Sequence, residues 1–240
     1  MSQEVTHGSK DILGFLPGLK DLPPHVSNAI FIVSVLLASA YIARRKLLKD
    51  PEKYVVPEGR LTLRNFFDLT VDNLLRFVKE NMGPRGPEFM MIIGALAFFI
   101  FFSNIWGLIP GFHSPTETIN TTGACALTVF VLTHYYGIKE HGWKYIKHFM
   151  GPVPWLAPLF FPIEMISHIV RPISLSIRLF GNIFADHFIV GVVASLIPII
   201  VPLPMMLLGV FVAIVQTLVF VLLSMAYFAG AIGEMEEESH

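Results

Sequence analysis

The chain has 240 residues, of which 54% are hydrophobic and 15% charged, with 21 Phe and a formal net charge of -1. That balance is too apolar for an ordinary water-soluble domain and offers no basic surplus for nucleic acid. A single cysteine, Cys125, excludes an intrachain disulfide and reads as a small buried hydrophobe, and neither a zinc-type cysteine spacing nor a Walker-type phosphate loop is present.

The apolar runs predict an all-α, polytopic integral membrane protein, a single membrane domain over 1–240 with about five transmembrane helices. Residues 28–43, NAIFIVSVLLASAYIA, form the first span and are followed by Arg44, Arg45 and Lys46. The run is short enough that flanking side chains must snorkel or the membrane must thin. Acids at Glu4, Asp11 and Asp21 precede it in place of the basic n-region of a signal peptide, so an uncleaved first span is expected.

Residues 61–82 differ in kind. Leu63, Phe66, Phe67, Leu74, Phe77 and Val78 recur at helical spacing, with Arg64, Asp68, Asp72, Arg76 and Lys79 on the other side. This pattern predicts an amphipathic helix, lying along the membrane interface or docked on another protein. Residues 88–109 form the second span, where Trp106 suits a headgroup belt and Pro110 with Gly111 stops the helix. Residues 119–137 return as the third span. A loop with Lys139, Lys144 and Lys147 and a proline-rich stretch follow. The region 161–197 is too long and too polar for a perpendicular crossing, so a tilted or kinked penultimate helix is expected. Residues 205–230 form the last span, and the tail after them is acidic.

Of the 17 basic residues, ten lie in 44–85 and three in 139–147, and the turns near 110–118 and 198–204 have none. The positive-inside rule then puts both basic loops in the cytoplasm, the N-terminus outside and the acidic tail inside.

The penultimate region carries the chemistry. With Arg178 at the origin of a helical wheel, Arg171 falls at about +20°, Glu164 and Asn182 at about +40°, and Ser167 and Ser174 at about −20° and −40°. His168 and Asp186 sit at the edge of this seam, and His187 lies on the opposite side. From Glu164 to His187 is about 35 Å of helix, comparable with the hydrocarbon thickness, so one seam can reach toward both aqueous phases. A guanidinium does not deprotonate in proteins and costs at least about 2.5 kcal/mol at the bilayer centre. Carboxylates and imidazoles can exchange protons, whereas the arginine acts as an electrostatic gate that holds an approaching carboxylate ionised and repels a hydrated proton. A secondary transporter binding an anionic solute at Arg171 and Arg178 is the alternative, as is a structural scaffold, although the halves typical of transporters are not evident. Glu164 can pair with Arg171 or with His168, and the i,i+4 contact is the more feasible. His134, His141 and His148 make no convincing metal set, and no cofactor site is read.

The run RPISLSIRLFGNIFADH, the later Gln216 in VAIVQTLVFVLLSMAY and the segment FFSNIWGLIPG together closely resemble subunit a of the Fo sector of F-type ATP synthases, of bacterial type, over nearly the whole chain. The resemblance implies that Arg178 faces the membrane carboxylates of a rotating ring of c subunits. Glu164 and Ser167 would line a cytoplasmic half-channel, and Asn182, His187 and Gln216 an outer one, with Arg171 and His168 as electrostatic support. It implies a multi-pass protein of the bacterial inner membrane, partnered by peripheral-stalk b subunits and the ATP synthase complex. The transported ion would be H⁺, with Na⁺ the alternative, and the chain would not be an enzyme by itself. In several relatives the titratable residue nine positions after the arginine has a partner seven residues before the glutamine, but Gly209 stands there. Asp186 is the carboxylate available to His187 instead, although its side chain points about 100° away on an ideal helix.

Overall fold

The computed structural model describes residues 22–49, 63–109, 112–143, 145, 157–196 and 202–233. The N-terminal stretch, most of the basic segment after the first span, the loop prolines at 152 and 154, the turn at Pro198 and the acidic tail lie outside the described residues. Among the described residues are six long α-helices, α1 (Pro24–Lys49), α2 (Leu63–Met82), α3 (Gly86–Gly107), α4 (Ile119–His141), α5 (Ala157–Leu196) and α6 (Pro202–Gly233). Short 3₁₀ turns at Gly83–Arg85 and Pro115–Glu117 complete the framework. The protein is an all-α polytopic membrane protein, as its apolar runs predict.

Four helical stretches are long and apolar enough to cross a membrane, Pro24–Arg45, Asn65–Gly107, Phe161–Val193 and Leu203–Gly233. α4, expected as a span, is not among them. Its hydropathy is diluted by Thr121, Thr122, Thr128, Thr133 and His134. Three of these meet other groups in the chain: Thr122 and Thr133 are buried, and the His134 ring lies against those of Phe130 and His168.

The helices pack as membrane helices do, through close van der Waals contact and small residues, because lipid gives little hydrophobic drive to helix association. Phe89, Ile93, Ile100, Val129, Leu179 and Phe220 are fully buried. The ring of Phe89 stacks on Phe228 at 5.2 Å and meets Tyr136 edge-on at 4.8 Å, joining α3, α6 and α4. Trp106 is drawn inward as well as toward an interface: its ring sits 5.1 Å from Phe31, and its indole N–H donates to Asn28 Oδ1 at 3.3 Å, fastening α1 to α3. On α2, Val78 is fully buried and Leu74 and Phe77 pack on the same core, whereas Asp68, Asp72, Arg76 and Lys79 are exposed. The apolar stripe of this amphipathic helix is therefore partly covered by its own chain. Gly86 permits the approach, since a Cβ there would lie 2.9 Å from the Val78 carbonyl.

α5 runs for 40 residues through Pro162 and Pro172. At 1.5 Å per residue it is about 60 Å long, twice the hydrocarbon thickness, so it must incline steeply to stay embedded. Pro172 has no N–H to give the carbonyl four residues earlier, a loss membrane helices tolerate where neighbouring side chains or water supply a donor.

Candidate functional site

α5 presents two different faces. Leu175, Leu179 and Ile183 are buried at i, i+4 and i+8 and anchor the helix on the bundle. Ser167, Ser174 and Arg178 are exposed beside them, in a surface that includes Ile163, Ile166, Ile173 and Ile177. Arg178 makes no ion pair or hydrogen bond among the described residues. A permanent cation is thus held on an open helix face among serines and isoleucines.

The remaining seam residues are engaged by neighbours. Arg171 lies with its guanidinium carbon 5.7 Å from the centre of the Tyr227 ring, a cation–π contact with α6. The two arginines therefore do not converge on one anion site. Asn182 donates its amide N–H to Gln216 Oε1 on α6, one helical turn from Arg178. Gln216 is buried, and its own Nε2 has no hydrogen-bond partner among the described residues. Toward the N-terminal end of α5, Glu164 Oε1 pairs with His168 Nε2 at 3.1 Å, the i,i+4 contact expected from spacing. His168 is buried, while Glu164 remains partly open.

The cluster toward the C-terminal end of α5 is built from a different part of the chain. His187 points to the far side of α5 and meets Glu117 of the 3₁₀ turn, with Nδ1 3.0 Å from Oε2. His113 Nδ1 approaches the same oxygen at 3.5 Å. Burial pushes the Glu117 carboxyl up, but hydrogen bonds from His113 and His187 and the charge on those rings outweigh it and hold the group at about 2, below its ordinary 4.5. Asp186, expected as the carboxylate for His187, is half-buried on its own side of the helix; Glu117 is the one that reaches ion-pair distance. The reason is rotational, because adjacent residues on a helix diverge by about 100°.

Buried hydroxyls fix the turn that carries Glu117. Ser114 donates to the Ser103 carbonyl at 2.8 Å and lies 2.6 Å from Thr116 Oγ1, which donates to Asn104 Oδ1 at 2.7 Å. Thr122 and Ser176 meet at 3.2 Å and join α4 to α5 behind it. Ser103 Oγ and Asn104 Nδ2 are buried without hydrogen-bond partners among the described residues, so this region is polar in depth. Gly107 lets the imidazole in: a Cβ there would lie 2.5 Å from Ser114 Cβ and 2.7 Å from His187 Cε1. At Gly209 a Cβ would lie 2.5 Å from Leu108 Cδ2, so leucine occupies the space in front of that glycine. Helical spacing does not single out Glu117, His113 or Gly107. The available signal is that Glu117 is the sole carboxylate between residues 110 and 118.

Measured along α5, Arg178 stands about 21 Å from Glu164 and about 14 Å from His187. An arginine with no ion pair among the described residues, on an open helix face between two ionisable clusters, fits a membrane protein of the ion-translocating class.

The comparisons agree. A family model described as the ATP synthase A chain matches residues 26–229. The chain is 46% identical over 216 residues to ATP synthase subunit a 1 of Syntrophotalea carbinolica, covering 90% of this chain and 87% of that one. It is 48% identical over 212 residues to ATP synthase subunit a of Syntrophobacter fumaroxidans, with 88% and 85% covered. The figure for ATP synthase subunit a of Geobacter sulfurreducens is 44% over 227 residues, with 91% and 93% covered. The chain belongs to the ATP synthase subunit a family. It is a membrane subunit of the Fo sector, concerned with ion transport and ATP synthesis, and is not an enzyme by itself.

Proposed function

We propose that this chain is the stator subunit that gives protons access to a ring of c subunits through two half-channels, one on each side of Arg178. The observation that carries the reading is the unpaired guanidinium on the open face of α5. A charge so placed costs at least about 2.5 to 3.5 kcal/mol in lipid, and none of the described residues pairs with it. A membrane carboxylate on a neighbouring subunit would. The attraction holds that carboxylate ionised while it faces Arg178, and it is neutralised before it moves into lipid. Protons then cross only by riding the ring, because the fixed positive charge repels a direct hop between the half-channels.

In this reading the inner half-channel uses Glu164 and Ser167, with His168 and Arg171 in support. The outer one uses Asn182, Asp186, His187 and Gln216, joined by Glu117 and His113. The cytoplasmic side is that of the basic loops, and with α4 crossing beside the four more apolar stretches, five crossings leave the N-terminus outside and the C-terminus in the cytoplasm of a bacterial inner membrane. The exposed polar side of α2 is a surface for peripheral-stalk b subunits.

The reading is tested by disulfide trapping in the assembled complex. A cysteine at Ser174, on the Arg178 face, should cross-link to one beside the ring carboxylate, whereas one at Leu127, exposed on α4, should not. Trapping from Leu127 and not from Ser174 would overturn the assignment of the ring-facing surface.

A further inference from the structure

The two halves of α2 meet the bundle differently. Its C-terminal half is seated directly on α3: Val78 closes on Gly86, and the end of the Leu74 side chain lies 3.9 Å from where a Cβ on Gly94 would stand. In the N-terminal half the contact is made by the rings of Phe67 and Phe98, 5.5 Å apart, long side chains that meet at their ends. Beside them α2, α3 and α6 leave a cavity of about 320 Å³, with Phe66, Phe98, Phe101, Ile214 and Leu218 among its walls. The aromatic walls lean on neighbouring rings: Phe66 on Phe67 at 5.8 Å, Phe98 on Phe102 at 6.3 Å and Phe101 on Phe102 at 5.5 Å. Folding inward to fill the space would give up those contacts.

The cavity is a poor host for water. Its two hydroxyls, on Thr70 and Thr217, donate to the Phe66 and Ala213 carbonyls of their own helices, each at 2.7 Å. That spends the one hydrogen either hydroxyl has. A buried water needs two to four polar partners, and two hydroxyl oxygens cannot supply them for a space of this size. Left empty, the cavity would forfeit the dispersion contacts of every atom in its wall. Depth says what fills it. From Gly86 to Phe98 is about 18 Å of helix, the middle of the 22-residue α3, and Ile214 and Leu218 stand near the middle of α6. Both helices lie in stretches long and apolar enough to cross the membrane, Asn65–Gly107 and Leu203–Gly233. The rim is apolar and open, with Phe66, Ile214 and Leu218 44%, 41% and 45% exposed. Beyond such a rim, midway along a span, the surrounding medium is hydrocarbon, so the cavity is continuous with the lipid-facing surface.

We propose that one acyl chain of a membrane phospholipid occupies this cavity and holds the N-terminal half of α2 against α3 and α6. The inference does not depend on the half-channel reading. A methylene chain is flexible enough to follow an irregular apolar space, asks for no hydrogen bond, and restores to the wall the close contacts on which helix association in lipid rests. It also accounts for the division of α2: where glycines let the helices close, the chain packs on itself, and where aromatic side chains hold them apart, lipid completes the packing.

The test uses the assembled complex in vesicles containing a phosphatidylglycerol with a diazirine midway along one acyl chain, illuminated and then mapped by mass spectrometry. Thr70, Leu74 and Ala97 are half-buried, yet they should be labelled at least as strongly as Leu37 of α1, which is 66% exposed. When unlabelled lipid is fused in before illumination, their labelling should fade more slowly than that of Leu37, because a held chain exchanges more slowly than bulk lipid. Ala97→Phe puts a ring into the cavity and should abolish labelling at Thr70 and Leu74 while leaving Leu37 unchanged. Weaker labelling at the three residues than at Leu37, fading at the same rate, or labelling at Thr70 and Leu74 that survives Ala97→Phe would each overturn the proposal. Should that variant not assemble, a density map of the unmodified complex decides: a tube of density the width of an acyl chain supports it, and an empty cavity or one filled by a neighbouring subunit's side chain overturns it.

Discussion

Glu117 Oε2 lies 3.0 Å from His187 Nδ1, so a short turn between α3 and α4 grips the C-terminal part of α5 across seventy residues of sequence. The carboxylate is held at about 2, below its ordinary 4.5. A depressed pKa stabilises the fold fully above the ordinary value, and that contribution is lost as pH falls from about 4.5 to about 2. Glu117→Gln should therefore weaken the protection of the turn by about 1.5 to 3 kcal/mol at neutral pH, the size of a hydrogen bond to a charged group. The difference from the unmodified chain should shrink as pH falls below about 4.5 and close below about pH 2. Hydrogen exchange of residues 112–123 checks both. A deficit that persists undiminished in acid would contradict the ion-pair account.

Two glycines near this turn differ in what they face, and their substitutions should differ accordingly. A Cβ at Gly209 meets the end of the Leu108 side chain, which can move, so Gly209→Ala should cost about 1 kcal/mol, the low end of overpacking. Leu108→Ala in the same chain should relieve it. At Gly107 the obstacles are Ser114 Cβ and the His187 imidazole. Gly107→Ala should displace His187 from Glu117 and slow proton flux, which Gly209→Ala should leave nearly unchanged. Flux measured on both variants decides the point.

Gln216 is buried, and Asn182 meets its amide oxygen across the α5–α6 contact. Asn182→Ala should cost about 1 to 3 kcal/mol because both polar atoms of the Gln216 amide then lack partners. Asn182→Ala combined with Gln216→Leu should cost less than the sum of the two. A double-mutant cycle on thermal stability of the purified complex reads the coupling, and strict additivity would mean that the pair is not joined in solution.

Arg171 and Arg178 are seven residues apart and do different things. Arg171 rests on the Tyr227 ring, so Tyr227→Phe should be nearly silent, while Tyr227→Leu should cost about 0.5 to 2 kcal/mol of stability. ATP synthesis by whatever complex assembles should be little changed in either. Equal loss in both variants would point to the phenol hydroxyl instead of the ring face.

Much of this architecture is legible in the residues. Apolar runs locate the helices, and the wheel of α5 brings Glu164 to His168 and turns His187 away from Arg178, because helical spacing is a local property. The outer carboxylate is not legible. Asp186 adjoins His187 in sequence, but a step of about 100° separates their directions, while Glu117 arrives from a turn whose position depends on buried hydroxyls in α3. The same holds for His134. It reads as an interfacial histidine in its own segment, and its ring becomes part of a cluster only when α4 packs on α5. Likewise α4 falls below the hydropathy of a span because threonines and a histidine dilute its apolar residues.

The central claim is most directly tested by ATP synthesis in membrane vesicles carrying Arg178→Ala. If the guanidinium on the open face of α5 is what holds a passing carboxylate ionised, synthesis should fall to background while the complex assembles at its normal level. Synthesis at the unmodified rate from an assembled Arg178→Ala complex would contradict it.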